Sequence, residues 1–143
     1  MRGRRARGPA GKVEDHVVRL HRVRLELARC REFPEGSAAR GYEFVLPLRE
    51  SGELDIAACE DQPDRCRVRR FWPKEGEEGG HLIHEGDHRW VVRFDDSAVF
   101  SGDEEGEEEP IFQLDRHRIV EGQYLTIRER DEVDRTFRVV SIR

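Results

Sequence analysis

The chain has 143 residues, 36% of them hydrophobic and 40% charged, with a formal net charge of -5. That length fits one domain, and so polar a balance leaves material only for a small core gathered in short periodic runs. No stretch approaches the ~20 consecutive apolar residues of a membrane-spanning helix, and Arg4-Arg5 lacks the apolar run of an export signal, so a cytoplasmic protein is expected.

Residues 1–17 read as a basic, disordered arm. Arg2, Arg4, Arg5, Arg7 and Lys12 stand there with no acid among residues 1–12. Contact with nucleic acid or acidic lipid is the functional reading of such an arm. Residues 13–143 are left with 21 basic and 31 acidic side chains. A body that acidic repels phosphate unless its positive charge is gathered on one face, so nucleic acid is disfavoured as a partner of the core. Only Lys12 and Lys74 are lysine, a skew that reflects GC-rich coding more simply than affinity.

Residues 18–143 are expected to form a single β-rich domain. In RVRLELAR, Val23, Leu25 and Leu27 alternate with Arg22, Arg24 and Glu26, the period of a half-buried strand. CREFPEGSAAR reads as a loop, and GYEFVLPL (41–48) as a second strand that Pro47 confines to an edge or an end. RESGELDIAACEDQPDRC holds the one helix candidate. Ser51 or Asp55 can cap it, Ile56, Ala57 and Cys59 give it an apolar face, and Pro63 ends it after about two turns.

CRVRRFWP returns to strand, with Val68 and Phe71 on different faces, and KEGEEGG reads as a flexible acidic loop. A hairpin is expected over residues 80–95. The stretch 95–110 carries eight acids and no base, so a mobile loop is expected; it lacks the D-x-[DN]-x-[DN]-G spacing of a calcium loop. A second hairpin closes the sequence, Leu125 and Ile127 running out, Asp131–Asp134 turning, and Phe137–Ile142 returning. The fold class is therefore mainly β, at the α+β border: a curled antiparallel sheet or small barrel of six to eight strands with one short helix.

Three of six histidines fall in HLIHEGDHRW (81–90), and zinc would need imidazoles converging at about 2 Å. A loop of Glu85-Gly86-Asp87 would set His84 opposite His88, where the pair could chelate. A two-residue Gly86-Asp87 turn would instead set Glu85 opposite His88, His84 opposite Arg89 and Ile83 opposite Trp90, splitting the histidines between faces. Turn chemistry favours the second register, so no metal is expected, and a small metal-binding protein through His84 and His88 is the weaker alternative.

Cys30, Cys59 and Cys66 make an odd count without a disulfide-framework spacing, so reduced, partly buried thiols are expected. None has a nucleophile's signature, no G-x-S-x-G elbow or phosphate loop is present, and no catalytic residue is assigned. An enzyme is therefore not favoured. For binding, Arg69, Arg70 and Trp72 could form a stacking and phosphate-contacting patch, with His117 the histidine to add to it. A strand with aromatics in the core and arginines paired to surface acids is the plainer reading.

Gly122-Gln123-Tyr124 with Arg135-Thr136-Phe137 is similar to the flavin-binding barrel of ferredoxin-reductase-like proteins. Glu121, Phe137 and Arg138 depart from that pattern, so no cofactor is expected. RVRLELARCREFPEGSAARGYEFVLPL, CRVRRFWP and HRIVEGQYLTIRERDEVDRTFRVVSIR together resemble a group of small bacterial proteins of unknown function. That resemblance implies one compact bacterial domain and no activity. The expected function is a non-enzymatic cytoplasmic binding or interaction module, for a protein or small-molecule partner. The alternative is a nucleic-acid-associated protein using the arm and Arg67–Trp72.

Overall fold

The structure, a computed structural model, describes residues 19–95 and 108–143. The basic arm (1–17) and all but the ends of the acidic stretch lie outside the described residues. The described residues form eight strands: β1 (Leu20–Leu27), β2 (Ser37–Pro47), β3 (Arg67–Trp72), β4 (Gly76–His84), β5 (Trp90–Phe94), β6 (Glu108–Ile111), β7 (Tyr124–Arg128) and β8 (Asp134–Ile142). Each pairs antiparallel with the next and β8 returns to β1, so the sheet closes into an eight-stranded barrel, as the sequence pattern anticipates.

The barrel follows from the period of two. Val23, Leu25 and Leu27 of β1, Tyr42, Phe44 and Leu46 of β2, and Phe137 and Val139 of β8 all turn inward and are buried. Their neighbours Arg22, Arg24, Glu26 and Glu43 turn outward. A charged outer face is the reverse of the apolar band that a membrane barrel presents to lipid. Inside, Tyr42 meets Phe44 and Phe137 edge-on, with ring centroids 5.9 and 5.1 Å apart. With Trp90, Leu25 and Leu125 these rings fill the lumen, as expected of eight strands, whose interior is just wide enough for side chains.

Helix α1 (Ile56–Asp61) lies where the sequence puts it. Asp55 caps it by accepting from the Ala58 N–H at 3.2 Å, and Pro63 opens a following 3₁₀ turn. The helix closes one end of the barrel beside the β4–β5 hairpin, and Cys59 on it is buried.

Three segments read as loops are strand in part. Ser37–Arg40 extends β2, Gly76–Gly80 extends β4, and Glu108–Pro110 begins β6. Each lies beside a strand with a strong pattern, and pairing with that neighbour overrides local turn composition. Glycine within two of these strands serves close packing instead of flexibility. A Cβ on Gly41 would stand 1.9 Å from the Leu25 carbonyl oxygen, at the bulge where pairing with β1 jumps from Gly41 to Ser37. Gly41→Ala is accordingly expected to cost roughly 1–3 kcal/mol, seen as a lower urea midpoint at unchanged slope.

The histidine hairpin takes neither expected register. The Glu85 N–H donates to the Arg89 carbonyl, the Arg89 N–H to that of Gly86, and His84 stands opposite Trp90, Ile83 opposite Val91 and Leu82 opposite Val92. The loop is Gly86-Asp87-His88, all three at positive φ (97°, 44° and 68°). The reason lies in the core. This register puts Leu82 inside with Trp90 and Val92, whereas the expected one would have put Ile83 there.

Candidate functional site: an ionic cluster sealing one barrel end

At the end opposite α1, the inward positions cease to be apolar. Arg70 follows Val68 on β3, Glu109 precedes Ile111 on β6, Glu129 follows Ile127 beyond β7, and Arg135 precedes Phe137 on β8. Arg70, Glu109 and Glu129 retain 4%, 0% and 2% of their surface. Charges buried so deeply persist only when paired and hydrogen-bonded. Arg70 Nε lies 3.4 Å from Glu129 Oε2 and its Nη1 lies 2.8 Å from Glu75. Arg135 Nη1 reaches Glu129 and Asp131 at 3.2 and 3.1 Å, while its Nη2 reaches Glu32 at 3.1 Å. Arg130 meets Glu78. Trp72 carries the guanidinium of Arg70 4.3 Å from its ring centroid, with Arg40 and Arg135 each at 5.8 Å.

The Tyr42 hydroxyl stands between two carboxyl groups. It is 2.5 Å from Glu109 Oε1 and within hydrogen-bond distance of Glu129 Oε2. A phenol has one proton and can donate to only one of them. The other contact is a hydrogen bond only if that carboxyl carries a proton of its own. Burial raises the Glu109 carboxyl above the ordinary range, and Glu129 opposite adds to the rise, against the hydrogen bond from Tyr42. Arg70 and Arg135 lie against Glu129. Burial, then the two neighbouring carboxylates, keep the phenol itself un-ionised. Burial works against the charge on Arg70, and the oxygens of Tyr42, Glu129 and Glu75 outweigh it.

The cluster also stands in for missing backbone bonds. Between β6 and β7 the register consists of Ile111 opposite Ile127, with the Phe112 N–H bonding the Thr126 carbonyl. The next donor position toward β7 is residue 110, a proline, which has no N–H to give. The ladder stops there. One step on, the Glu109 carboxylate accepts the Arg130 N–H at 3.0 Å, a donor the interrupted ladder would have left unsatisfied. The side-chain chain Glu109–Tyr42–Glu129 spans the rest of the seam.

The residues expected to form one binding patch are divided. Arg70 and Trp72 join the cluster. Arg69 points outward and is neutralised by Glu43 and Glu77 at 2.9 and 2.6 Å, and Phe71 beside it lies under the guanidiniums of Arg24 and Arg69. His117 follows the 3₁₀ turn Leu114–Arg116, at the α1 end of the barrel. Each hairpin histidine has its own carboxylate: His81 with Asp95, His84 with Glu60, and His88 with Asp115, at 3.0, 2.6 and 2.9 Å. His84 stacks on Trp90 inside the barrel mouth while His88 sits in the turn, so the two share no site. Among the described residues, no group of three or more histidine, cysteine or acidic side chains is placed to hold a metal ion. Arg135 is engaged with Glu32, Glu129 and Asp131.

Fold and site define a class: a closed antiparallel meander barrel with a filled lumen and one buried ionic end. No protein-family model matches the chain, and no curated protein or solved structure is similar to it. No helix among the described residues is long and apolar enough to cross a membrane. Chemically, the cluster ties together four strands, β2, β3, β6 and β8, and the loop after β7. Its acids have the pairing of an acid–base couple, but they are sealed from solvent.

Proposed function

We propose that the protein is a non-enzymatic cytoplasmic module that binds a protein partner on its outer surface, in a domain of the kind found in small bacterial proteins of unknown function. The observation that carries this reading is the filling of the lumen. Eight-stranded barrels that carry small ligands keep an interior cavity for them; this one is packed with Trp90, Tyr42, Phe44 and Phe137 and shut by ions at one end. An open concavity lies outside, a groove of about 1100 Å³ along β1, β2, β7 and β8, lined by Leu27, Ser37, Tyr124, Thr136, Arg138 and others. Tyr124 is 50% exposed there. Arg138 has no carboxylate partner among the described residues, and Tyr and Arg are the side chains that most often dominate a binding surface.

The nucleic-acid reading gains nothing from β3, because Arg67 and Arg69 are matched by Asp95, Glu43 and Glu77. A photo-crosslinking residue in place of Tyr124 tests the proposal in cells of the source organism. One discrete adduct is expected, absent when the same residue replaces Arg89 on the β4–β5 turn and lost when Arg138→Glu is added. No adduct at 124, or equal labelling at both positions, refutes it.

A further inference from the structure

Cys59 and Cys66 lie outside the ionic cluster and outside the groove, and their sulfurs are 3.3 Å apart. Both are buried, at 3% and 1% of their surface. Cys59 lies in α1, and Cys66 sits at the foot of β3, where its carbonyl accepts the Leu82 N–H and its own N–H closes the 3₁₀ turn onto Pro63. Two sulfurs at this separation are held by structure on both sides, and a disulfide needs them only about 1.3 Å closer, at the bonded distance of about 2.05 Å.

We propose that Cys59 and Cys66 form a dithiol that hydrogen peroxide oxidises to an intramolecular disulfide, tying α1 to β3. Cys66 is the attacking sulfur. A cleft of about 240 Å³, lined by Leu20, Pro47, Ala58, Gln62, Arg65 and Cys66, leads to it from solvent. It admits a molecule of peroxide's size and not a folded protein disulfide. Within the pair a hydrogen bond from the Cys59 thiol favours the thiolate at Cys66, while Cys59 is pushed the other way. The thiolate is the form that attacks.

In the first step Cys66 sulfur bonds to one peroxide oxygen, the O–O bond breaks, and hydroxide leaves, giving a sulfenic acid. Cys59 sulfur then attacks Cys66 sulfur, the S–O bond breaks, and the departing oxygen takes up the Cys59 thiol proton as water. Together the two thiols lose two electrons and two protons, and one peroxide becomes two waters. Cys30, half-buried and remote from the pair in sequence, has no neighbouring thiol among the described residues with which to resolve a sulfenic acid.

The test treats the full folded chain with one equivalent of hydrogen peroxide, blocks free thiols in denaturant, and reads intact and peptide mass. Arg65 separates the cysteines for trypsin, so a disulfide appears as peptide 50–65 joined to 66–67. The expected product has one alkylated thiol, at Cys30, carries that joined peptide, and returns to three alkylated thiols after dithiothreitol. Cys30→Ser should form the same link. Cys59→Ser should stop at a sulfenic acid on Cys66 that dimedone captures. Three alkylatable thiols after peroxide, a link through Cys30, or sulfonic acids without a link would overturn the proposal.

Discussion

Arg70→Ala is expected to destabilise the barrel by about 3–5 kcal/mol, the cost of leaving one member of a buried ion pair without its partner. Glu129 keeps Arg135 and Tyr42, but it loses the deeper cation and stays at 2% exposure. Urea unfolding of the purified variant measures the loss. A second variant separates charge from volume: Arg70→Met combined with Glu129→Gln removes both charges while keeping the stems, and should regain most of what Arg70→Ala loses. If the double variant is no more stable than the single one, the damage comes from packing against Trp72 and the ion pair is not what holds this end.

The raised carboxyl of Glu109 gives the second large effect, and its direction follows from linkage. Folding raises this carboxyl above its ordinary value, so the folded chain keeps a proton that the unfolded chain releases. Stability from this group is full below the unfolded value, near 4.5, and is lost as pH rises toward the folded value, with a slope of up to about 1.4 kcal/mol per pH unit. Glu43, Asp115 and Asp131 act oppositely. Their carboxyls are held down by Arg69, by His88, and by the Val133 N–H with Arg135, each against some burial, so their share is present above the ordinary range and lost as pH falls below it. Glu109→Gln keeps a polar group beside Tyr42 and an acceptor for the Arg130 N–H with no proton to lose. Chemical denaturation from pH 4 to 9 should show wild type losing stability above about 4.5 relative to Glu109→Gln, which equals or exceeds it near pH 8. Parallel profiles would mean that Glu109 is ionised in the fold.

The sequence carried the barrel through alternation that survives reading aloud: Val23, Leu25 and Leu27, or Leu125 and Ile127. It carried α1 through the Asp55 cap and Pro63. What it hid was the phase of weakly patterned strands. Gly76–Gly80 and Glu108–Pro110 are glycine- or glutamate-rich, and only the pairing partner makes them strand. The ionic cluster was half legible in the same alternation. Arg70, Glu109, Glu129 and Arg135 each extend an apolar phase by one more inward step, which marks a charged residue as buried. Read singly, each looked like surface; read as four phases meeting at one barrel end with opposite signs, they form a site. Glu109 was the hardest of them, being one of many acids in a stretch that reads as solvated. In the hairpin, turn residues alone allowed registers with sums one residue apart, and the core's choice of Leu82 decided.

The meander bears on how the chain reaches this state. Seven of the eight seams join strands consecutive in the sequence, and each forms without bringing distant parts of the chain together. The eighth sets Leu25 against Val139. Loop-closure entropy grows only slowly with length, but this one contact must be made across nearly the whole chain, and its strands carry a register shift between Arg24 and Leu25. Folding thus divides into a local zippering of neighbours and one distant search, β8 finding β1 in the right frame. That search, and not the number of strands, is what should set the folding rate.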